Sequence, residues 1–233
     1  MIRPLYNWPD VLIPRRAIIV APSNTVNGLI SLNGYENNIP ISGARNQMMM
    51  EFGMRPSSMG NIFAWLCNQA RGALFSVPVW NSPQLATNAT IAANELTYGN
   101  GIDFSNDLPF SSGYGFKYIP TVDLYADALA GDVTIQVDVS RHPNTLDYGN
   151  VIEIGRSVHH IDDIQTVGDI STLTIRPQLR RNYTVADDSK VSLRPHIIGE
   201  IKDPQALTSL FDPAHNFQPG SVTLNEVIDE RLL

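Results

Sequence analysis

Cysteine is almost missing: the 233 residues hold a single one, Cys67. One thiol excludes an internal disulfide framework and a multi-cysteine zinc or iron–sulfur site. Charge is scarce as well, with Asp, Glu, Lys and Arg at 17% of residues, where about a quarter is usual. Cations are the rarer sign, 16 Lys and Arg against 23 Asp and Glu, for a net charge of -7 and a pI near 5.1. Gripping a phosphate backbone takes clustered Lys and Arg, so this balance argues against a nucleic-acid-binding surface while leaving room for DNA that passes without being held. Long apolar runs are lacking too. The run Ala17-Ile18-Ile19-Val20-Ala21 falls far short of the roughly 20 residues a membrane span needs. Trp8-Pro9-Asp10 interrupts any signal-peptide core, and no export signal is read. There is no G-x-S-x-G elbow, no Walker loop and no fixed-period repeat, and Gly99-Asn100-Gly101 lacks the further glycines of a dinucleotide fingerprint.

What is present is a 43% hydrophobic chain rich in turn formers, with Gly 16 and Pro 16, long enough to bury a core without staples. Residues 15–20 read as a strand, and 29–32 lead into Asn33-Gly34, a hairpin signal because both residues tolerate positive φ. Short strands are expected at 39–42 and 47–54. One helix is expected after a cap at Ser57 or Ser58, with Met59, Ile62, Phe63, Leu66 and Ala70 forming an apolar stripe. Arg71 would sit in its last turn, and Gly72 would end it in a left-handed conformation. Residues 74–80 read as a strand. From 81 to 112 the composition shifts to Asn, Thr, Ala and Gly, marking a domain crossing.

Residues 117–194 then show a run of short strands. Val133, Ile135, Val137 and Val139 alternate with Asp132, Thr134, Gln136 and Asp138, as in a half-buried strand. Strand 151–154 turns at Gly155-Arg156 into 157–167, Gly168-Asp169 turns again into 171–176, and a last strand covers 190–194. This spacing predicts a small sandwich or barrel. In the tail, Thr223-Leu224-Asn225-Glu226 fits a helix capping box, yet Val222 and Leu224 also alternate as in a strand. The preferred reading is a strand leading into a short helical end, with the helix as alternative.

Candidate chemistry is thin. His159-His160-Ile161-Asp162-Asp163 gathers four metal-competent side chains, but neighbours on a strand point to opposite faces, so a solvated strand face is preferred over a metal site. Cys67 lies one step from the helix stripe and reads as a structural thiol. Met48 and Met50 fall on one strand face with Met49 opposite, which reads as core first and subunit interface second. Arg176, Arg180, Arg181 and Arg194 form a basic patch, read as a solvated loop face with local ion pairs, or else as a contact for a partner's carboxylates. The Asn- and Tyr-bearing stretch 94–118 reads as loop before sugar-binding face. No metal, cofactor or catalytic residue is expected.

Three blocks together resemble the distal tail proteins of long, non-contractile-tailed bacteriophages and of related gene-transfer particles. The first is Trp8-Pro9-Asp10 with the segment Ser42-Gly43-Ala44-Arg45-Asn46-Gln47. The second runs from Phe63-Ala64-Trp65 through Ala70-Arg71-Gly72-Ala73-Leu74-Phe75-Ser76-Val77-Pro78. The third joins Ala130-Gly131-Asp132-Val133-Thr134-Ile135, Asp147-Tyr148-Gly149-Asn150-Val151-Ile152 and Leu173-Thr174-Ile175-Arg176-Pro177-Gln178-Leu179-Arg180.

The resemblance covers about residues 3–200. It implies a mainly β protein: a tube-like β-sandwich ring domain with one helix, formed by 1–84 with 197–233, and an inserted small β-barrel or OB-like module over 85–196. It implies a structural component of the virion, not an enzyme, assembled in the host cytoplasm as a homo-oligomeric ring of six copies at the distal end of the tail. Such a ring joins the tail tube protein to a tail-tip hub protein, carries receptor-binding proteins, and passes DNA through its channel with no membrane insertion. Trp8, Met48, Met50, Phe52, Arg176, Arg180 and Arg181 are the residues expected at contacts with neighbouring subunits. The rival readings are another tail component (tube, terminator or adhesin adaptor), a carbohydrate-binding module in 85–196 that reads the host surface, and a hydrolase.

Overall fold

The computed structural model describes residues 3–20, 25–30, 36–40, 45–53, 55–56, 60–80, 103, 110–112, 115, 118–143, 145–187, 189–203, 216–217 and 221–227. The described chain is mainly β with one helix. In the first part lie β1 (Leu5–Asn7), β2 (Arg16–Val20), β3 (Thr25–Ile30), β4 (Glu36–Pro40), β5 (Gln47–Glu51), β6 (Arg55–Pro56), α1 (Gly60–Gln69) and β7 (Leu74–Pro78). Next come β8 (Thr121–Leu124), β9 (Thr134–Asp138), β10 (Val151–Ile154), β11 (Ser157–Val167), β12 (Ile170–Arg176) and β13 (Lys190–Ser192). The chain closes with β14 (His196–Ile201), β15 (Asn216–Phe217) and β16 (Ser221–Glu226). Two compact units result: residues 1–81, 156–158 and 196–233 form one, and 82–155 with 159–195 form the other.

The first unit is organised by a six-stranded sheet in the order β1-β7-β14-β16-β5-β2. Its strands come from both ends of the chain. β1 runs parallel to β7, and the other neighbours in the sheet pair antiparallel. Two-stranded pairs β3–β4 and β6–β15 accompany it. Alternation decides which side chains enter the core. Ala17, Met50 and Val222 share one row, and Ile19, Met48 and Leu224 the next; of these Met48, Met50, Val222 and Leu224 have no exposure at all.

The helix supplies Phe63 and Leu66 to that core. Phe63 meets Phe52 edge-on at 5.6 Å between centroids, and Trp65 meets Tyr6 at 5.5 Å and Phe75 at 6.4 Å, both edge-on. Trp8 stacks on Phe52 at 6.2 Å and meets Trp80 edge-on at 6.3 Å. Such ring pairs contribute roughly 0.5–1.5 kcal/mol each beyond their buried area. The indole N–H of Trp8 donates to Leu12 O at 2.8 Å, so this buried ring leaves no orphan donor. The helix stops at Gln69, ahead of Arg71, and Gly72 takes φ 158°. Gly72 is thus near extended rather than left-handed helical, which corrects the expected glycine cap. The expected Ser57 or Ser58 cap and the Asn33-Gly34 turn lie outside the described residues.

The second unit is a closed barrel, β10-β11-β12-β9-β8-β13. Its lining is aliphatic: Val122, Leu124, Ile135, Val137, Ile152, Ile154, Ile161, Leu173, Ile175, Val191 and Leu193 are all buried, with Tyr183 among them. Closure gives each barrel strand a neighbour on both sides, so the barrel has no free sheet edge among the described residues. The β10–β11 turn is Gly155-Arg156, both with positive φ (54° and 66°), the handedness a two-residue hairpin turn needs to match strand twist. Tyr183 crosses beneath this turn and donates its hydroxyl to Ile154 O at 3.1 Å. A Cβ at Gly155 would lie 2.5 Å from Tyr183 Cε1. Gly155→Ala therefore carries both the clash and the left-handed penalty, and is expected to destabilise the barrel by about 2–4 kcal/mol, read as a shift in the urea unfolding midpoint.

Candidate functional site

The most tightly specified polar arrangement in the first unit is a buried carboxylate. Glu226, at the end of β16, is 2% exposed, and Asn46, just ahead of β5, is fully buried. The β5–β16 ladder sets them opposite one another, because Asn225 pairs with Gln47 and the next backbone bond runs from Glu226 N to Asn46 O at 2.9 Å. Glu226 Oε2 then accepts from Asn46 N at 2.9 Å and from Asn46 Nδ2 at 3.0 Å. Its Oε1 accepts a longer bond from Val158 N at 3.5 Å, and Asn46 Nδ2 also donates to Val158 O at 2.9 Å. Three segments far apart in sequence meet on one charge.

Close approach of the strands is part of the same device. Gly199 on β14 faces Glu226 in register, and a Cβ there would lie 2.5 Å from Asn225 O. The capping-box alternative for Thr223-Leu224-Asn225-Glu226 is thus not realised over 221–226. Glu226 reaches across the sheet to Asn46 instead of back along a helix, and the short helical end expected after it lies outside the described residues. Removing one side of a buried, hydrogen-bonded charge site is costly. Glu226→Ala leaves the Asn46 and Val158 N–H groups without this acceptor and is expected to lose about 1–3 kcal/mol in urea unfolding followed by Trp fluorescence.

The surface the sheet offers lies on its other side. Ile18 faces Met49, which faces Thr223, and Val20 faces Gln47, which faces Asn225. Met49 and Val20 are 44% and 45% exposed. β2 ends the sheet and pairs only with β5 among the described residues, while β1 ends it on the far side. Within β2 there is no Pro, and its one charged residue, Arg16, stands at the first position, leaving Ala17–Val20 without a charge. The four apolar residues expected at subunit contacts belong elsewhere: Trp8, Met48, Met50 and Phe52 are buried in their own unit. A side chain enclosed by its own chain offers no surface to a neighbour, so the outer-face Ile18, Val20 and Met49 take over that expectation. The signal for them was in the sequence, as the opposite phase of the same alternation.

In the barrel unit Arg176 binds Asp162, 2.6 Å from Nη2 to Oδ1, with both side chains about two-fifths exposed. Such a pair contributes little to stability, and it engages the Arg176 charge within the unit. Arg180 and Arg181 are half-buried and also have partners in the chain.

The His pair resolves as alternation demands, with one correction. His160 is half-buried, but His159 is fully buried rather than solvated, and its Nδ1 lies 2.7 Å from Pro177 O. No group of three His, Cys, Asp or Glu is placed to hold a metal ion among the described residues. Burial pushes the Cys67 thiol pKa up, against smaller lowering effects of a backbone hydrogen bond and Arg71. A raised thiol pKa disfavours the thiolate that nucleophilic chemistry uses. The stretch 94–118 falls almost wholly outside the described residues. Among those described, no helix is long and apolar enough to cross a membrane.

His142 is 4% exposed, and burial first, the Arg141 charge second, lower its pKa from the ordinary 6.5. The folded barrel resists protonating this ring while the unfolded chain does not. Its contribution is therefore complete above about pH 6.5 and is lost progressively as pH falls below that value. His142→Gln is expected to shrink the drop in urea midpoint between pH 7.5 and pH 5.5, measured by circular dichroism.

No family model and no curated protein sequence matches this chain.

Proposed function

We propose that the chain is a structural protein of a bacteriophage-type particle, the ring at the distal end of a long non-contractile tail. In this reading six copies surround a channel, the tail tube and a tip hub lie on either side, and receptor-binding proteins attach outside. The protein performs no chemistry, and DNA is cargo in transit. The observation that carries the reading is the open six-stranded sheet of the first unit. Among the described residues it is assembled from both ends of the chain and finishes in two different edge strands, β1 and β2.

A ring closes through heterologous contacts, in which one surface of a copy meets a different surface of the next. Unlike edges on one sheet provide that pair of surfaces, and β2, whose Ile18 and Val20 lie on the outer face with Met49 of β5, is suited to accept a neighbour's strand. The resemblance of the three sequence blocks points the same way. A net charge of -7 favours a channel that repels a phosphate backbone over one that holds it.

Light scattering and negative-stain imaging of the purified chain test the reading. The expected result is a closed ring of six copies with an axial hole. Val20→Lys, on the exposed phase of the edge, is expected to dissociate the ring while leaving the circular dichroism spectrum unchanged. A chain that stays monomeric at high concentration, alone and with purified tail tubes, overturns it.

A further inference from the structure

The connection from β9 to β10 runs over the surface at Ser140, Arg141 and Asp147–Gly149 but turns several side chains inward. Val139 and Leu146 belong to the barrel core, and His142, Thr145 and Asn150 are buried with them. Part of the polarity this brings inside is answered locally. Thr145 Oγ1 donates to His142 O at 2.6 Å, and the Asn150 backbone both donates to Asp147 O at 3.2 Å and accepts from Ile161 N at 2.8 Å.

The Asn150 side chain is not answered. It has no exposure, and neither Nδ2 nor Oδ1 has a hydrogen-bond partner among the described residues. Asn150 stands two and four residues before Ile152 and Ile154, both in the barrel core. His142 Nδ1, in the same connection, is likewise buried and without a partner.

A buried amide with no partner is destabilising, by more than a hydrogen bond normally contributes. We propose that the barrel carries an internal hydration site, in which a buried water binds the Asn150 carboxamide. Water is the smallest ligand that can both accept from Nδ2 and donate to Oδ1, and buried waters are held by two to four such contacts. The ligand is neutral. Among the described residues no group of three His, Cys, Asp or Glu is placed to hold a cation. Such a water would tie the Asn150 side chain into the fold, in place of a protein partner.

Two measurements on the full chain decide this. Asn150→Leu keeps the approximate volume and deletes the polar pair. With a bound water lost, the folding equilibrium constant is expected to fall about tenfold or more. If the amide is simply orphaned, the same change raises stability, and that result overturns the proposal. Independently, the Asn150 side-chain amide of the unaltered protein is expected to show cross-relaxation in NMR with a long-lived water. That observation does not depend on the variant folding. An amide signal with no such cross-peak overturns the site.

Discussion

A carboxylate shut away from water has to be met by N–H groups, and the first unit is built around one such requirement. Glu226 ends the last described strand, and the donors that answer it are Asn46, before β5, and Val158, at the start of β11. Charge-assisted hydrogen bonds are directional and roughly twice as strong as neutral ones. They tolerate little slippage between β5 and β16, and a slip of one residue would turn Met48 and Met50 out of the core. The register of the central strands, the burial of the methionines and the tight passage at Gly199 are consistent with this single site.

The two units use different means of filling their interiors. In the first, aromatic rings from β1, the following Trp8, Phe52, the helix and β7 meet at edge-on and stacked angles, and large rings fill the space between a single helix and an open sheet. In the barrel, inward residues are aliphatic and branched, sizes that fill a small closed cylinder. Closure also settles the fate of backbone groups. The barrel satisfies its own ladder, whereas the open sheet retains two edges. That asymmetry is why the proposed assembly contacts are placed on the first unit.

The burial of Asn46, Glu226, His142, Asn150 and His159 shows how a chain poor in charge still carries structural polarity. Their roles differ. Glu226 is paired with donors, His159 faces a backbone carbonyl, and the Asn150 amide is buried without a protein partner among the described residues. Low overall charge keeps the number of such groups small, and each has a specific geometric consequence.

Strand positions in the barrel could be read from the sequence because their causes are local. The alternation of Ile135 and Val137 with Thr134 and Gln136, and the turns Gly155-Arg156 and Gly168-Asp169, are properties of a few adjacent residues, and β9 to β13 follow them closely. The helix was legible for the same reason, through the spacing of Phe63 and Leu66. The same alternation identified two faces of β5 but not which would be covered. That depended on β16, arriving from about 170 residues away, and the core took Met48 and Met50 while Met49 faced outward. Glu226 read equally well as a capping residue or a strand residue, because its partner Asn46 is 180 positions distant. Local pattern determined the elements and their two faces. Only the tertiary structure decided which face is enclosed, which edges stay open and where a buried charge finds its donors, since these depend on segments that sequence spacing does not bring together.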